Sequence, residues 1–149
     1  MARAAHRRVA LLSIHPRHAT AILGGAKTVE LRRTALPADV SHVVVYVTSP
    51  VKTILGWFEV EAIERDRPWR LWEKHGSATG ITRTEFRSYF DGANEGTAIS
   101  VRRVVTLKKP VQLSAIRAKT PPQNFSYVDA GVATRLLGLS ERKSATNHR

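Results

Sequence analysis

The sequence predicts an α+β fold: a small mixed barrel of about six strands with three or four short helices packed at its openings. Three observations carry that expectation. About six segments show either two-residue alternation or a continuous apolar run. The helical patterns between them are few and irregularly placed, which argues against a doubly wound parallel sheet with a helix after every strand. The 149 residues, 42% of them hydrophobic, suffice for one core that buries roughly two thirds of the unfolded chain's surface, with no room for a second domain.

Taken in order, residues 9–14 (VALLSI) form a short apolar run with the character of a buried strand. Pro16 suits the first turn of a helix, Ala19, Ile22 and Leu23 share one face at helical spacing, and Gly24-Gly25 supplies the stop. In KTVELRR, Val29 and Leu31 point one way while Thr28, Glu30 and Arg32 point the other, as in a strand with one face on a core. HVVVYVT at 42–48 is apolar on both faces and belongs at the centre of the sheet. In TILGWFEVEAI, Phe58, Val60 and Ala62 share one face, and Trp57, Glu59 and Glu61 share the other, which reads as the wet face. Gly56 permits a bulge or the close approach of another group. A short helix starts near Pro68 and carries Trp69 and Trp72. Thr82 and Glu85 make a capping box for a helix whose stripe of Phe86, Tyr89 and Phe90 is assigned to the core, with Gly92 at its end. Trp69 and Trp72 are assigned to the core with them. Residues 95–111 read as one long or bent strand, or as two, closed by Pro110. Asp129 can cap a last helix carrying Val132, Leu136 and Leu137, ended by Gly138. The domain is thus placed at 9–139, between a basic N-terminal arm, 1–8, and a disordered tail, 140–149, neither of which has an apolar period.

Charge points to the partner. Lys and Arg number 24 against 12 Asp and Glu, a net charge of +12 and a pI near 11.1. For so small a chain this favours a polyanion, with RNA or another single-stranded nucleic acid, or nucleotides, as the expected ligand. The excess is uneven. Residues 1–35 hold seven Lys/Arg and one acid, residues 36–100 hold seven and nine, and residues 101–149 hold ten and two. Cysteine is absent, which excludes disulfides, thiol nucleophiles and Cys zinc sites and is compatible with a reducing compartment. The apolar run at 9–14 is too short for a signal-peptide core or a membrane span, so the expected location is the cytoplasm. No cofactor is indicated. His15 and His18 stand at helical i, i+3 spacing with no third ligand apparent, and are read as polar groups at a helix start or parts of a basic face rather than as a metal site.

The stretch GGAKTVELRR contains G-x-K-x-x-E-x-R as Gly25, Lys27, Glu30 and Arg32, which resembles the signature of the ASCH domain family, relatives of the PUA RNA-binding domain. An LLSI-type strand followed by HP, then VVVYVTSPVKTILGWFEVEAI, a capped aromatic helix, GTAISV and PPQNFSYV resemble, in order, the small stand-alone ASCH proteins. The likeness spans residues 9–128. It implies a PUA-like pseudobarrel of five or six strands with a cleft beside the motif. It leaves the activity open, because that family includes proposed RNA binders, a nucleoside amidohydrolase and a reported ribonuclease type.

Glu30 is the sole acid among the first 35 residues. It shares a strand face with Arg32, with Cα atoms about 6.6 Å apart, so the two can pair. Such a carboxylate can accept hydrogen bonds from a base amino group or orient an arginine, or it can be half of a surface salt bridge worth about 0–1 kcal/mol. Lys27 faces away by strict alternation and joins the site only if the glycine turn swings it round. The expected binding set is Arg17, Lys27, Glu30, Arg32, Arg33, Lys108, Lys109, Gln123 and Tyr127. In it the cations hold phosphates, and the loop carrying Gln123, Asn124, Phe125 and Tyr127 faces a base across the cleft. If the protein is an enzyme of RNA or modified-nucleoside metabolism, the catalytic set is Lys27, Glu30 and Glu59. Amidohydrolase relatives carry a lysine, a threonine and a glutamate resembling Lys27, the position of Glu30, and Glu59. Glu30 cannot replace that threonine as a nucleophile, although Thr28 lies beside it.

Overall fold

The computed structural model describes residues 8–118 and 120–146. Six strands, β1 (Arg8–Ile14), β2 (Val29–Arg32), β3 (Val40–Val47), β4 (Thr53–Asp66), β5 (Gly96–Val111) and β6 (Ser126–Tyr127), form one sheet in the order β2-β5-β4-β3-β1-β6. Neighbours are antiparallel except β1 and β3, which run parallel. A parallel pair requires a crossover. Here it passes through α1 (Pro16–Leu23), which lays Ala19 and Ile22 onto the sheet.

The sheet is covered on both sides. On one face Leu12, Ile14, Val43, Val45, Phe58 and Ile99 pack with Ala19 and Ile22. On the other, Val44 and Trp57 pack with Ile116 and with Val132 and Ala133 of α4 (Ala130–Thr146). Trp57 is fully buried, so the face of β4 expected to be wet is dry at this position, because α4 lies over it. Beyond Trp57 the face reaches solvent, where Glu59 and Glu61 pair with Arg103 and Arg102. A third cluster joins Val29 and Leu31 of β2 to Leu71 of α2 (Pro68–His75) and to Phe86 and Phe90 at α3 (Arg83–Tyr89).

Gly56 meets both expectations for it. The ladder shifts register between Ile54 and Gly56, and a Cβ there would lie 2.5 Å from the Val105 carbonyl oxygen and 2.8 Å from Leu23 Cδ2. The capping box of α3 is formed: Glu85 N donates to Thr82 Oγ1 and Thr82 N donates to Glu85 Oε1.

The expected α+β pseudobarrel is borne out, as six strands whose backbone ladder stays open, with β2 and β6 as its two edges. Three expectations are corrected. Trp69 and Tyr89, assigned to the core, are 54% and 40% exposed, because short helices bury a narrower stripe than their aromatic content suggests. The arm ends a residue early, as Arg8 already pairs in β1, and residues 1–7 lie outside the described set. Helix α4 runs through Gly138 to Thr146, so residues 140–146 of the expected disordered tail continue it. A single helical glycine costs only about 1 kcal/mol relative to alanine and does not stop a helix that nothing else interrupts. The remaining tail residues, 147–149, are outside the described set. No helix among the described residues is long and apolar enough to cross a membrane.

Candidate nucleic-acid interface

The GGAKTVELRR stretch forms one wall of a cleft of about 320 Å³, lined by Ile14, His15, His18, Lys27, Glu30, Leu31, Arg32, Ile81, Glu85 and Tyr89. Its geometry begins with the turn after α1. Gly25 adopts φ +87°, a left-handed conformation that costs other residues about 1–2 kcal/mol, and Lys27 N donates to the Ala21 carbonyl at 3.0 Å. Strand β2 begins only at Val29, so the alternation that would point Lys27 away from Glu30 does not extend to it. The turn brings its ammonium round to Glu30.

Lys27 and Glu30 are 2% and 6% exposed. Lys27 Nζ lies 3.5 Å from Glu30 Oε1 and donates to the Thr79 carbonyl, while Arg32 Nη1 lies 3.3 Å from Glu30 Oε2. The bland reading of a surface salt bridge is therefore replaced by a buried cation–carboxylate–cation array. Burial pushes the Lys27 ammonium below its ordinary pKa, against the opposing pull of Glu30. His18 is likewise pushed down, first by burial and then by the charge of Lys27, so it faces the cleft as a neutral imidazole able to donate at one nitrogen and accept at the other. Burial raises the Tyr89 hydroxyl, keeping it a phenol.

Arg32 does more than pair with Glu30. Its Nη1 donates to the Ser13 carbonyl at 3.2 Å and its Nη2 to the Asn124 carbonyl at 3.2 Å. Since Arg32 is on the β2 edge and Asn124 precedes β6 on the other, this guanidinium bridges the seam that the backbone ladder leaves open. It also fastens the PPQNFSY loop to the motif strand through the Asn124 carbonyl, although no residue of that loop lines the cleft. Arg33 donates to the carbonyls of Tyr89 and Asp91 at 2.8 and 3.0 Å, fastening α3 to β2 rather than facing a ligand. Arg17 sits at the rim, paired with Glu85 through two guanidinium nitrogens.

The remaining predicted residues are not brought to this cleft. Glu59 is on β4 opposite Arg103 and His42, pairing with both. Its face of the sheet is the one Trp57 occupies, so the catalytic trio of Lys27, Glu30 and Glu59 does not converge; Arg103 is the main influence lowering the Glu59 pKa. Thr28 is exposed and is not among the lining residues. Tyr127 has its ring covered by the Arg8 guanidinium, 3.4 Å from the centroid, and its hydroxyl donates to Asp39. Gln123 is exposed on the loop that Arg32 anchors. Lys108 and Lys109 lie at the far end of β5, about 30 Å of extended strand beyond Ile99, the cross-strand partner of Glu30. No group of three or more His, Asp or Glu suited to a metal ion occurs among the described residues.

A second cleft was missed by the sequence reading. It measures about 600 Å³ and is lined by Tyr46, Lys52, Gln112, Leu113, Ser114, Arg117 and Ala118. Among the described residues, Lys52 and Arg117 are the two non-glycine residues at positive φ, +54° and +62°. Both are cationic and both line this cleft. The available signal was Lys52 just after the Ser-Pro break; nothing in the sequence brought Arg117 to it.

A family model described as ASCH domain matches residues 12–111. The chain is similar to an ASCH domain-containing ribonuclease from Zymomonas mobilis, with 33% identity over 141 residues, covering 91% of this chain and 95% of the relative. The crystal structure of ASCH from Zymomonas mobilis aligns with a TM-score of 0.78 at 32% identity, covering 90% of this chain and 96% of that one. A point variant of the same protein aligns at 0.81, covering 91% and 98%. The motif Gly25, Lys27, Glu30 and Arg32, the open six-stranded sheet and these likenesses agree, and the chain belongs to the ASCH domain family.

Proposed function

We propose that this protein binds RNA or nucleotides, and that the motif cleft takes a single unstacked base. The observation that carries this reading is the buried Lys27–Glu30–Arg32 array on the wall of a cleft that Tyr89 also lines. An array so placed is preorganised: Glu30 is held by two cations and presents carboxylate lone pairs to a base amino group, while the exposed Tyr89 ring offers a stacking surface. The test is binding of single-stranded RNA and of nucleosides to wild type and Glu30→Gln. Base preference should fall in the variant more than overall RNA affinity does. Loss of neither, with both proteins folded, overturns the reading. The cytoplasmic location belongs to the same proposal and rests on the composition.

A second reading, ribonuclease activity, is favoured by the name of the Zymomonas mobilis relative and by the strained cations of the second cleft. Residues held in left-handed conformations cluster at functional sites, and here Lys52 and Arg117 line one cleft with the buried Tyr46. An ammonium and a guanidinium can stabilise charge on a phosphate, and a phenol can pass a proton. Cleavage of single-stranded RNA that is lost in Lys52→Ala and Arg117→Ala but kept in Glu30→Gln would place the chemistry there. Wild type that binds RNA without cleaving it would eliminate this second reading alone.

A further inference from the structure

We infer that the rim pair Arg17–Glu85 is an exchange latch, in which a terminal phosphate monoester displaces the Glu85 carboxylate from Arg17, so that the motif cleft prefers nucleoside monophosphates, or phosphate-ended RNA, to nucleosides. This rests on the reading of that cleft as a base pocket.

The first argument is which cations are committed. Lys27 is held by the Thr79 carbonyl and Glu30. Arg32 is held by Glu30 and the carbonyls of Ser13 and Asn124, and Arg33 by those of Tyr89 and Asp91. Withdrawing any of these would open the seam or loosen α3. Arg17 differs, since its side chain is 54% exposed and that of its partner Glu85 38% exposed. An exposed ion pair is weak because water and salt compete for both ends.

The second argument is position. Glu85 lines the cleft, and Arg17 stands in the chain between His15 and His18, which also line it. The exchange needs no refolding, because Glu85 Oε1 also accepts from Thr82 N in the capping box and keeps its place on α3 when Arg17 departs. The third is chemistry. Arg17 meets Glu85 with Nη1 and with Nη2, the latter at 3.1 Å, a two-pronged geometry that suits a phosphate as well as a carboxylate. A monoester carries up to two charges and three acceptor oxygens, more than the carboxylate it would replace or an internal phosphodiester. Glu85, pulled down to a pKa of about 2 mainly by its bond to Arg17, stays ionised at neutral pH. It is therefore a standing charged competitor for Arg17, which a more highly charged anion displaces.

The experiment is calorimetric titration of the common ribonucleosides and their 5′-monophosphates into wild type, Glu85→Gln and Arg17→Ala. Gln is chosen because it retains the capping box. Wild type should bind a monophosphate more tightly than its nucleoside. Glu85→Gln should strengthen monophosphate binding by about 3- to 10-fold relative to its own nucleoside binding, as removal of a charged competitor for an arginine implies. Arg17→Ala should abolish the preference. Nucleoside binding with no phosphate preference in wild type, or a preference that survives Arg17→Ala, overturns the latch while leaving the base pocket standing. Absence of binding by any of these ligands overturns both.

Discussion

Lys27 carries an ammonium into the protein between Thr79 O and Glu30 Oε1, and its removal has two consequences at the residue scale. Lys27→Met leaves Glu30 buried with Arg32 alone, which should cost on the order of 2 kcal/mol at neutral pH, less than a fully orphaned charge because one cation remains. Urea denaturation measures this. The pH dependence follows from the lowered pKa. Between that lowered value and 10.5, the unfolded chain holds a proton that the folded chain has released, so stability rises with pH through this window. Wild type should therefore gain stability relative to Lys27→Met as pH climbs toward 10.5. A difference that is flat or shrinks over that range contradicts the desolvated ammonium. Glu30 and Arg32 were legible as a pair from their spacing. Lys27 was legible in part: strand periodicity pointed it away, and the one route to Glu30 was the glycine turn, which the left-handed Gly25 supplies.

At the scale of elements, β4, α1 and β5 meet at Gly56. A Cβ there, 2.5 Å from a carbonyl oxygen and 2.8 Å from Leu23, has one rigid neighbour and one attached to α1. Gly56→Ala should cost about 1–3 kcal/mol, the usual range for overpacking, and should also weaken ligand binding, because α1 leads directly into the turn that places Lys27. Thermal denaturation and RNA binding measured on the same preparation check this, and a variant as stable as wild type rejects it. Thr82→Ala is the contrasting change: it removes an N-cap at a cost of about 1 kcal/mol. The capping box was readable because it is local, a hydroxyl and a carboxylate three residues apart. The exposure of Tyr89 and Trp69 was not, since each depends on how far α3 and α2 roll against β2 and β5.

For the whole molecule, the open sheet and the distribution of charge act together. Arg32 ties the two sheet edges through the carbonyls of Ser13 and Asn124, so Arg32→Ala should lower thermal stability as well as RNA affinity, whereas replacing Lys108 and Lys109 should leave stability nearly unchanged. Because those lysines lie about 30 Å along extended β5 from the partner of Glu30, their loss should weaken a long single strand and not a trinucleotide. For the long strand, log affinity should fall against log salt with a slope near −0.7 per phosphate contact, and the double replacement Lys108→Ala with Lys109→Ala should make that slope shallower. Equal weakening of long and short RNA would show that the lysines do not extend the path.

Sequence alone determined β1 to β5, the starts of the helices and the family motif, because alternation, caps and turn residues are interactions between near neighbours in the chain; it did not show the short β6, which forms only by pairing with β1. It also determined the strongly cationic balance of the chain, since net charge does not depend on folding. The tertiary structure decided which charged groups meet. It turned Lys27 inward, assigned Arg32 and Arg33 to carbonyls of distant segments, put Glu59 on the opposite sheet face from Glu30, and placed Lys52 and Arg117 on the walls of one cleft. Those outcomes depend on the coiling of one open sheet and on which face α4 covers, and they join residues far apart in sequence, where no local periodicity constrains distance or direction.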